Sequence, residues 1–156
     1  MEIFANGKDL VFAGRNQVTD FGREELIRLL LAGNLDALVW QISVGEGGDC
    51  AILPPHNPTG ARVPPDPSED EIRKLIGTVD ISTITRGGAG EVIYSAIARR
   101  EQVNSPNINE LALLTRDGQM IAHYVTDPEM TGEAQKKPKT DLMFWIIRWT
   151  VEYTGA

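Results

Sequence analysis

Few side chains in this sequence are placed where they can do chemistry, and the first is the single cysteine. Cys50 follows Asp49 after a run of glycines, and His56 lies six residues further along. A cysteine nucleophile needs an adjacent base that holds it as a thiolate. Sequence spacing in a loop does not set that geometry. We therefore interpret Cys50 as a strand-end thiol and His56 as a loop histidine that faces water.

Two further polar residues fall inside predicted strands. His123 has the same alternation as Ile121 and Val125, which predicts a sheet histidine that is hydrogen-bonded to a neighbour. Glu110 shares its side of a strand with Ile108, Ala112 and Leu114. We expect Glu110 to be partly buried with a partner or to point into an interface; the alternative is a strand-end residue that faces water.

Acidic residues supply one enzymatic alternative, a small cell-wall or polysaccharide hydrolase with a carboxylate pair drawn from Asp49, Glu91 and Glu110. Glycosidases hold two such carboxyl groups about 5–9.5 Å apart. None of the three stands out from the other acids of the chain. The sequence therefore predicts no catalytic residues and a protein that is not an enzyme.

Glycine-rich and acidic runs were considered as cofactor or metal sites. Residues 45–48 and 87–90 lack the lysine ending of a phosphate-binding loop and the dinucleotide fingerprint, so turn glycines explain them. The acidic run at 66–71 lacks the ligand pattern of a calcium loop, and acids are favoured at a helix start in any case. We expect no metal and no cofactor.

Composition limits the classes of partner. The chain has 156 residues, which fits a single domain at roughly 100–200 residues per domain. Its net charge of −7 opposes binding to phosphate backbones. No apolar run approaches the ~20 residues of a membrane-spanning helix, and the start of the chain lacks the features of a signal peptide. We expect a chain made in a cytoplasm that binds neither nucleic acid nor membrane.

Two helices are predicted. Thr19 or Asp20 can cap an amphipathic helix over residues 21–32, which Gly33 would end. Residues 68–71 have the spacing of a capping box, which predicts a short second helix that ends near residue 76.

The remaining periodicity is typical of β-strands. Apolar alternation covers residues 38–44, 79–85, 92–98 and 142–153, and a hairpin pairs residues 108–115 with residues 119–126 around an Asp-Gly turn. The last strand puts Trp145 and Trp149 on one face. The predicted class is α+β, mainly β: an antiparallel β-sandwich or curled sheet with an N-terminal amphipathic helix and a short second helix.

Three irregular stretches complete the single predicted domain of residues 1–156. Residues 1–15 are expected to be a strand or an extended arm. Residues 45–67 form a Pro- and Gly-rich loop that holds six of the nine prolines, and residues 127–140 form a polar loop.

Four parts of the chain carry a resemblance to a known family. Residues 16–22 (NQVTDFG) are similar to an N-x-V-T-N-x-G opening that leads into a helix ending Leu-Ala-Gly, and residues 40–47 (WQISVGEG) look like an I-A-L-G-T-G strand and turn. Residues 108–114 (INELALL) look like I-N-E-x-G-L-F, and residues 139–142 and 149–151 look like K-T-x-x-x-L and W-T-I. In this order, they resemble the small tail-associated structural proteins of tailed bacteriophages, of the fibre or collar kind.

The resemblance implies a non-catalytic virion protein of the tail or baseplate that joins a receptor-binding fibre or spike to the particle. It implies other tail, baseplate or fibre proteins as partners and a homo-oligomer, a trimer or hexamer. The chain departs from the family pattern at Glu46, where threonine is usual, and at Ala112, where glycine is usual. A further alternative is a carbohydrate-binding module for host attachment, with Trp40 or Trp149 on an exposed platform.

Overall fold

The structure, a computed structural model, describes residues 1–13, 17–24, 39–47, 65–125 and 137–152. These residues are mostly β-strand. The strands are β1 (Glu2–Ala5), β2 (Asp9–Ala13), β3 (Gln17–Val18), β4 (Val39–Gly45), β5 (Leu75–Arg86), β6 (Glu91–Ala98), β7 (Ser105–Ile108), β8 (Glu110–Thr115), β9 (Met120–Val125), β10 (Lys137–Lys139) and β11 (Trp145–Glu152).

Nine of these strands form one curled antiparallel sheet, in the order β2-β1-β11-β6-β5-β4-β8-β9-β3, and β7 pairs with β10 apart from it. The twelve-residue β5 joins the two halves of the large sheet. Its first half pairs with β4 and its second half pairs with β6, with a register shift between Ile81 and Thr83. Such an irregularity bends a strand. Of the two predicted architectures, a β-sandwich and a curled sheet, the structure supports the curled sheet.

Alternation along β11 supplies the centre of the hydrophobic core. Trp145, Ile147 and Trp149 have no exposed surface, and they belong to one buried cluster with residues of both halves of the sheet, such as Ile42 and Leu113. The prediction that this strand puts its tryptophans on one buried face is confirmed. Curling of the sheet lets residues of distant strands share one apolar interior.

The first predicted helix is described only at its start. Residues 20–24 are helical, and the Gly22 N–H donates to the Thr19 hydroxyl at 3.0 Å, as expected of a helix cap. The Thr19 hydroxyl also donates to a carbonyl of β9, which fixes the helix start on the sheet. The rest of the predicted helix over residues 21–32 lies outside the described residues.

The short second helix predicted after Ser68 is wrong. Asp66 and Glu69 close a turn, in which the Glu69 N–H donates to the Asp66 carbonyl at 3.1 Å. The Arg73 and Lys74 N–H groups, which a helix would use for its own carbonyls, donate instead to a side chain of β8. β5 then begins at residue 75.

Three smaller expectations are settled or change. Of the two alternatives for residues 1–15, the strand is confirmed at residues 9–13, because residues 1–13 form a β-hairpin at one edge of the sheet, with Ile3 fully buried, and no extended arm. The polar loop expected over residues 127–140 ends in β10, whose Lys139 is buried and donates to the Arg99 carbonyl at 2.7 Å. A register shift between Val39 and Gln41 turns Trp40 out of the apolar face of β4, so it is 45% exposed.

No helix within the described part of the chain is both long enough and apolar enough to cross a membrane.

Replacement of Ile147 by alanine removes packed volume from the centre of the core. We expect Ile147→Ala to lower the free energy of unfolding by about 2–5 kcal/mol. Ile84→Ala is the matched control, because Ile84 is 43% exposed on β5, and we expect it to cost about 1 kcal/mol or less. Equilibrium urea denaturation measures both values, and equal losses would contradict the position of the core.

Candidate functional site

The β8–β9 hairpin brings Glu110 and His123 onto one face of the sheet. Ala112 lies opposite His123 and Glu110 lies opposite Val125 in the antiparallel register, so Glu110 and His123 are diagonal neighbours. Leu111 and its neighbours in the core point to the other face. The hairpin turn includes Gly118 at φ +81°, a left-handed conformation that glycine adopts without strain.

The Glu110 side chain has no exposed surface, and all of its hydrogen-bonding capacity is used inside the protein. Its Oε1 accepts from the Gly47 and Lys74 N–H groups, both at 2.7 Å. Its Oε2 contacts the Arg73 N–H at 3.1 Å and His123 Nε2 at 2.9 Å. Four donors around one carboxylate compensate the free energy that its burial would otherwise cost.

Residues 65–74, which we call the strap, cross the polar face of this hairpin. Glu69 of the strap places Oε2 at 2.9 Å from His123 Nδ1, and its Oε1 accepts from Arg73 Nε at 2.7 Å. The Asp66 N–H donates to the same Oε2 at 3.0 Å. In the first half of the strap, the Pro67 carbonyl accepts from the Asp20 N–H at 2.8 Å. The strap is therefore held to the sheet mainly through Glu69 and Glu110.

His123 is in contact with a carboxylate at each ring nitrogen, and it is fully buried. An ionised carboxylate accepts hydrogen bonds and cannot donate them. Since both carboxylates already receive other donors, each ring nitrogen must carry a proton, and His123 is an imidazolium. Burial opposes the charge, but the hydrogen bonds to Glu110 and Glu69 outweigh it and raise the pKa of His123 above its usual 6.5.

The environment of Glu69 acts in the same direction. Burial alone would raise the pKa of Glu69, but its hydrogen bonds with His123 and Arg73 lower that pKa from 4.5 to about 2. Glu69, Glu110 and His123 with the Arg73 guanidinium thus form an alternating row of negative and positive charges. We call these four residues the clamp.

The glycines of the turn after β4 are needed because the turn touches the clamp. A Cβ at Gly45 would lie 2.7 Å from Glu110 Oε1, and a Cβ at Gly47 would overlap the same atom. Only glycine allows the Gly47 N–H to reach that carboxylate. The turn glycines expected at 45–48 therefore have a specific reason at these two positions.

A second polar cluster lies beside the clamp. Glu46 accepts from Lys74 Nζ at 2.8 Å and from the Ser105 hydroxyl at 2.6 Å. Two hydrogen bonds lower the pKa of Glu46, and the one from Lys74 has a larger effect than the one from Ser105. The Asn109 amide donates to the Glu46 carbonyl at 2.9 Å. These contacts join the end of the strap to β7.

The other candidates from the sequence are not brought to this site. Asp49, Cys50 and His56 lie outside the described residues. Glu91 begins β6, and its side chain accepts from the Gly88 N–H of the preceding turn at 2.6 Å. Trp149 is fully buried and so forms no platform.

In the clamp, both oxygens of Glu110 and both ring nitrogens of His123 are already engaged in hydrogen bonds inside the protein. A general acid or base must come within hydrogen-bond reach of its substrate, and Glu110 and His123 are both sealed from solvent. In the portions of the chain that the structure describes, no group of three or more His, Cys, Asp or Glu residues is arranged to hold a metal ion.

Sequence reasoning identified half of the clamp. The expectations that His123 has a hydrogen-bonded neighbour and that Glu110 is buried with a partner are confirmed. A two-residue turn at the Asp-Gly pair would already place Ala112 opposite His123. Glu110, two residues before Ala112 on the same face, is then a diagonal neighbour of His123, so the hairpin pattern contained the signal for their contact. Glu69 and Arg73 were missed, because the capping-box spacing of residues 68–71 predicts a helix for the segment that holds them.

Comparisons with models of protein families, with curated proteins and with solved structures found no match for this chain.

Replacement of Glu110 by glutamine keeps the shape but puts an NH₂ group where backbone N–H groups or His123 now donate. We expect Glu110→Gln to lower the free energy of unfolding by about 3–5 kcal/mol, because it leaves buried donors and a buried imidazolium without their acceptor. Glu91→Gln is the control, and we expect it to cost about 1 kcal/mol or less. Chemical denaturation at pH 6 measures both, and a Glu110→Gln loss as small as that of the control would refute the clamp.

The two pKa shifts predict how stability depends on pH. The folded pKa of Glu69 lies below its unfolded value, so its contribution is present above pH 4.5 and is lost as the pH falls toward about 2. The folded pKa of His123 lies above 6.5, so its contribution is present below pH 6.5 and is lost as the pH rises through the folded pKa. We expect the clamp to stabilise the fold most between pH 4.5 and 6.5. Urea denaturation across pH tests this, and a loss of clamp-dependent stability inside that window would contradict it.

Proposed function

We propose that this chain is a non-catalytic structural component of a phage tail or baseplate, which joins a fibre or spike to the particle. The resemblance of its segments to tail-associated proteins suggests this role. The structural observation that supports it best is an apolar row on the outer face of the sheet, because an assembly protein needs exposed apolar surface to bury against its neighbours.

The row crosses four adjacent strands. Leu10 of β2 lies opposite Phe4 of β1, Phe4 lies opposite Ile146 of β11, and Ile146 lies opposite Ile97 of β6. Opposite residues of antiparallel strands lie on the same face. Leu10 is 56% exposed and Ile97 is 47% exposed, whereas Trp145, on the other face of β11, is fully buried. We call these four residues the outer row.

The adaptor would bind its partners through this face and not through an extended N-terminal arm. Ile3 buries the β1–β2 hairpin in the core, so the first residues hold the sheet together and are not free to extend as an arm. The β1–β2 turn lies close to the row, with Gly7 packed near Ile146 and Phe144. We infer that tail or fibre proteins, or further copies of this chain in a trimer or hexamer, cover this face in the particle.

Charged substitutions in the outer row test the proposal. Leu10→Lys and Ile97→Lys change side chains that already face water, so both variants should fold, as circular dichroism will show. We expect both variants to be incorporated into particles at least tenfold less than the unchanged chain, because a partner would have to bury the new charge. Quantitative mass spectrometry of purified particles measures this.

Ile84→Lys is the matched control, since Ile84 is exposed but lies outside the row. Ile84→Lys should be incorporated normally. If the purified chain forms an oligomer, light scattering should show that oligomer in the unchanged chain and in Ile84→Lys, and should show its loss in Leu10→Lys and Ile97→Lys. Normal incorporation of Leu10→Lys and Ile97→Lys would refute the docking role of this face.

A carbohydrate-binding module is a second candidate, favoured by Trp40 alone. Trp40 is 45% exposed, and the Arg116 guanidinium lies 4.4 Å from the centre of its ring. Such a ring can stack on a flat ligand with its uncovered face.

Tryptophan fluorescence separates the two candidates. Of the three tryptophans, Trp145 and Trp149 are fully buried, so quenching by a soluble agent should be lost in Trp40→Phe. We expect host polysaccharide to leave the fluorescence of the unchanged chain the same, as for an adaptor. Saturable quenching that disappears in Trp40→Phe would favour the carbohydrate-binding module instead.

A further inference from the structure

We propose that the clamp is a pH-responsive latch: loss of one proton from His123 releases the Asp66–Glu69 half of the strap from the β8–β9 face, while the Arg73–Lys74 end stays bound. This device is independent of the proposed role in a phage tail. It follows from the hydrogen-bonding capacities of the groups and from their unequal burial.

The first step concerns what neutral imidazole can do. It has one N–H donor and one bare nitrogen that only accepts. Both partners of His123 are carboxylates at 2.9 Å, so a neutral ring must turn its bare nitrogen toward one of them. Two acceptors at that distance repel each other, and that contact must open.

The second step concerns which contact opens. Glu110 is fully buried, whereas about a fifth of the Glu69 side chain is exposed. An unpaired carboxylate costs more free energy in the interior than near water. The remaining proton therefore stays on Nε2 toward Glu110, and Nδ1 loses its proton toward Glu69. Glu69 can then turn to solvent.

The third step identifies what moves with Glu69. Its carboxylate also receives the Asp66 N–H, and the turn it closes presents the Pro67 carbonyl to the Asp20 N–H. Release of Glu69 therefore loosens the first half of the strap and its attachment to the helix start. The other half keeps its backbone contacts, because the Arg73 and Lys74 N–H groups donate to Glu110, while the Arg73 guanidinium gives up its hydrogen bond to Glu69.

Other groups near His123 do not replace this response. On β8 the charged neighbour is Glu110, and on the strap the charged neighbours are Glu69 and Arg73. The residue opposite His123 on β3 is the uncharged Gln17. The nearby Lys74 is already paired with Glu46 at 2.8 Å. Among the described residues that face the ring, His123 is the group whose charge changes near neutral pH.

Amide hydrogen exchange across pH tests the latch, with His123 titrated by NMR in the same samples. After correction for the intrinsic pH dependence of exchange, we expect protection of the Asp66 and Asp20 amides to fall at least tenfold as His123 loses its proton. Protection of the Gly47 and Lys74 amides should fall less than twofold. No loss at Asp66 and Asp20, or an equal loss at all four amides, would overturn the proposal.

Glu69→Gln is the decisive variant. The glutamine NH₂ can donate to the bare Nδ1 of a neutral His123, and its oxygen can still accept from Arg73. That NH₂ cannot accept from the Asp66 N–H as Oε2 does, so the Asp20 amide is the position to compare. We expect this variant to fold and to show no alkaline loss of protection at Asp20. His56→Gln is the control and should keep the response of the unchanged chain. An unaltered alkaline response in Glu69→Gln would refute the latch.

Discussion

A carboxylate with no access to water must find its hydrogen-bond donors inside the protein, and this constraint on Glu110 organises half of the fold. Its donors come from three places in the chain: the turn after β4, the end of the strap and the neighbouring strand β9. Because a buried unpaired charge is so unfavourable, none of these three segments can leave without depriving Glu110 of a donor. The clamp therefore couples segments that apolar packing alone would leave separate.

The two faces of the sheet at β8 are different in character: one is apolar and the other is polar. One face of β8 contributes Leu111 and Leu113 to a core built around the tryptophans of β11, and the other carries Glu110 under the strap. Apolar burial is non-directional, so it stabilises the curl of the sheet without choosing where the strap lies. The clamp determines the position of the strap, since each of its hydrogen bonds has a direction and a fixed partner. The outer row occupies the opposite half of the sheet, away from the strap and the β8–β9 hairpin.

Local patterns predicted the strands well but predicted a short second helix where the structure has a turn, for physical reasons that particular residues show. Alternation placed Ile42, Val44 and Trp149 on buried faces because a two-residue period needs no knowledge of distant partners. It failed at Trp40, where a register shift inserts one residue and reverses the side that the ring faces. The capping signal after Pro67 was real but closed a turn, because Glu110 competes for the N–H groups that a helix would use. Such competition between residues 36 or 37 positions apart is not visible in local spacing.

The clamp, the strap and the outer row together describe a protein whose polar interior fixes its shape and whose apolar exterior is available to partners. The clamp depends on His123 carrying two protons between two carboxylates. The most direct test is ¹⁵N NMR of the imidazole at pH 6, in a His56→Gln chain that retains His123 as its single histidine. We expect both ring nitrogens to be protonated and each to be coupled to a carboxylate. A neutral ring with one bare nitrogen at that pH would contradict the clamp.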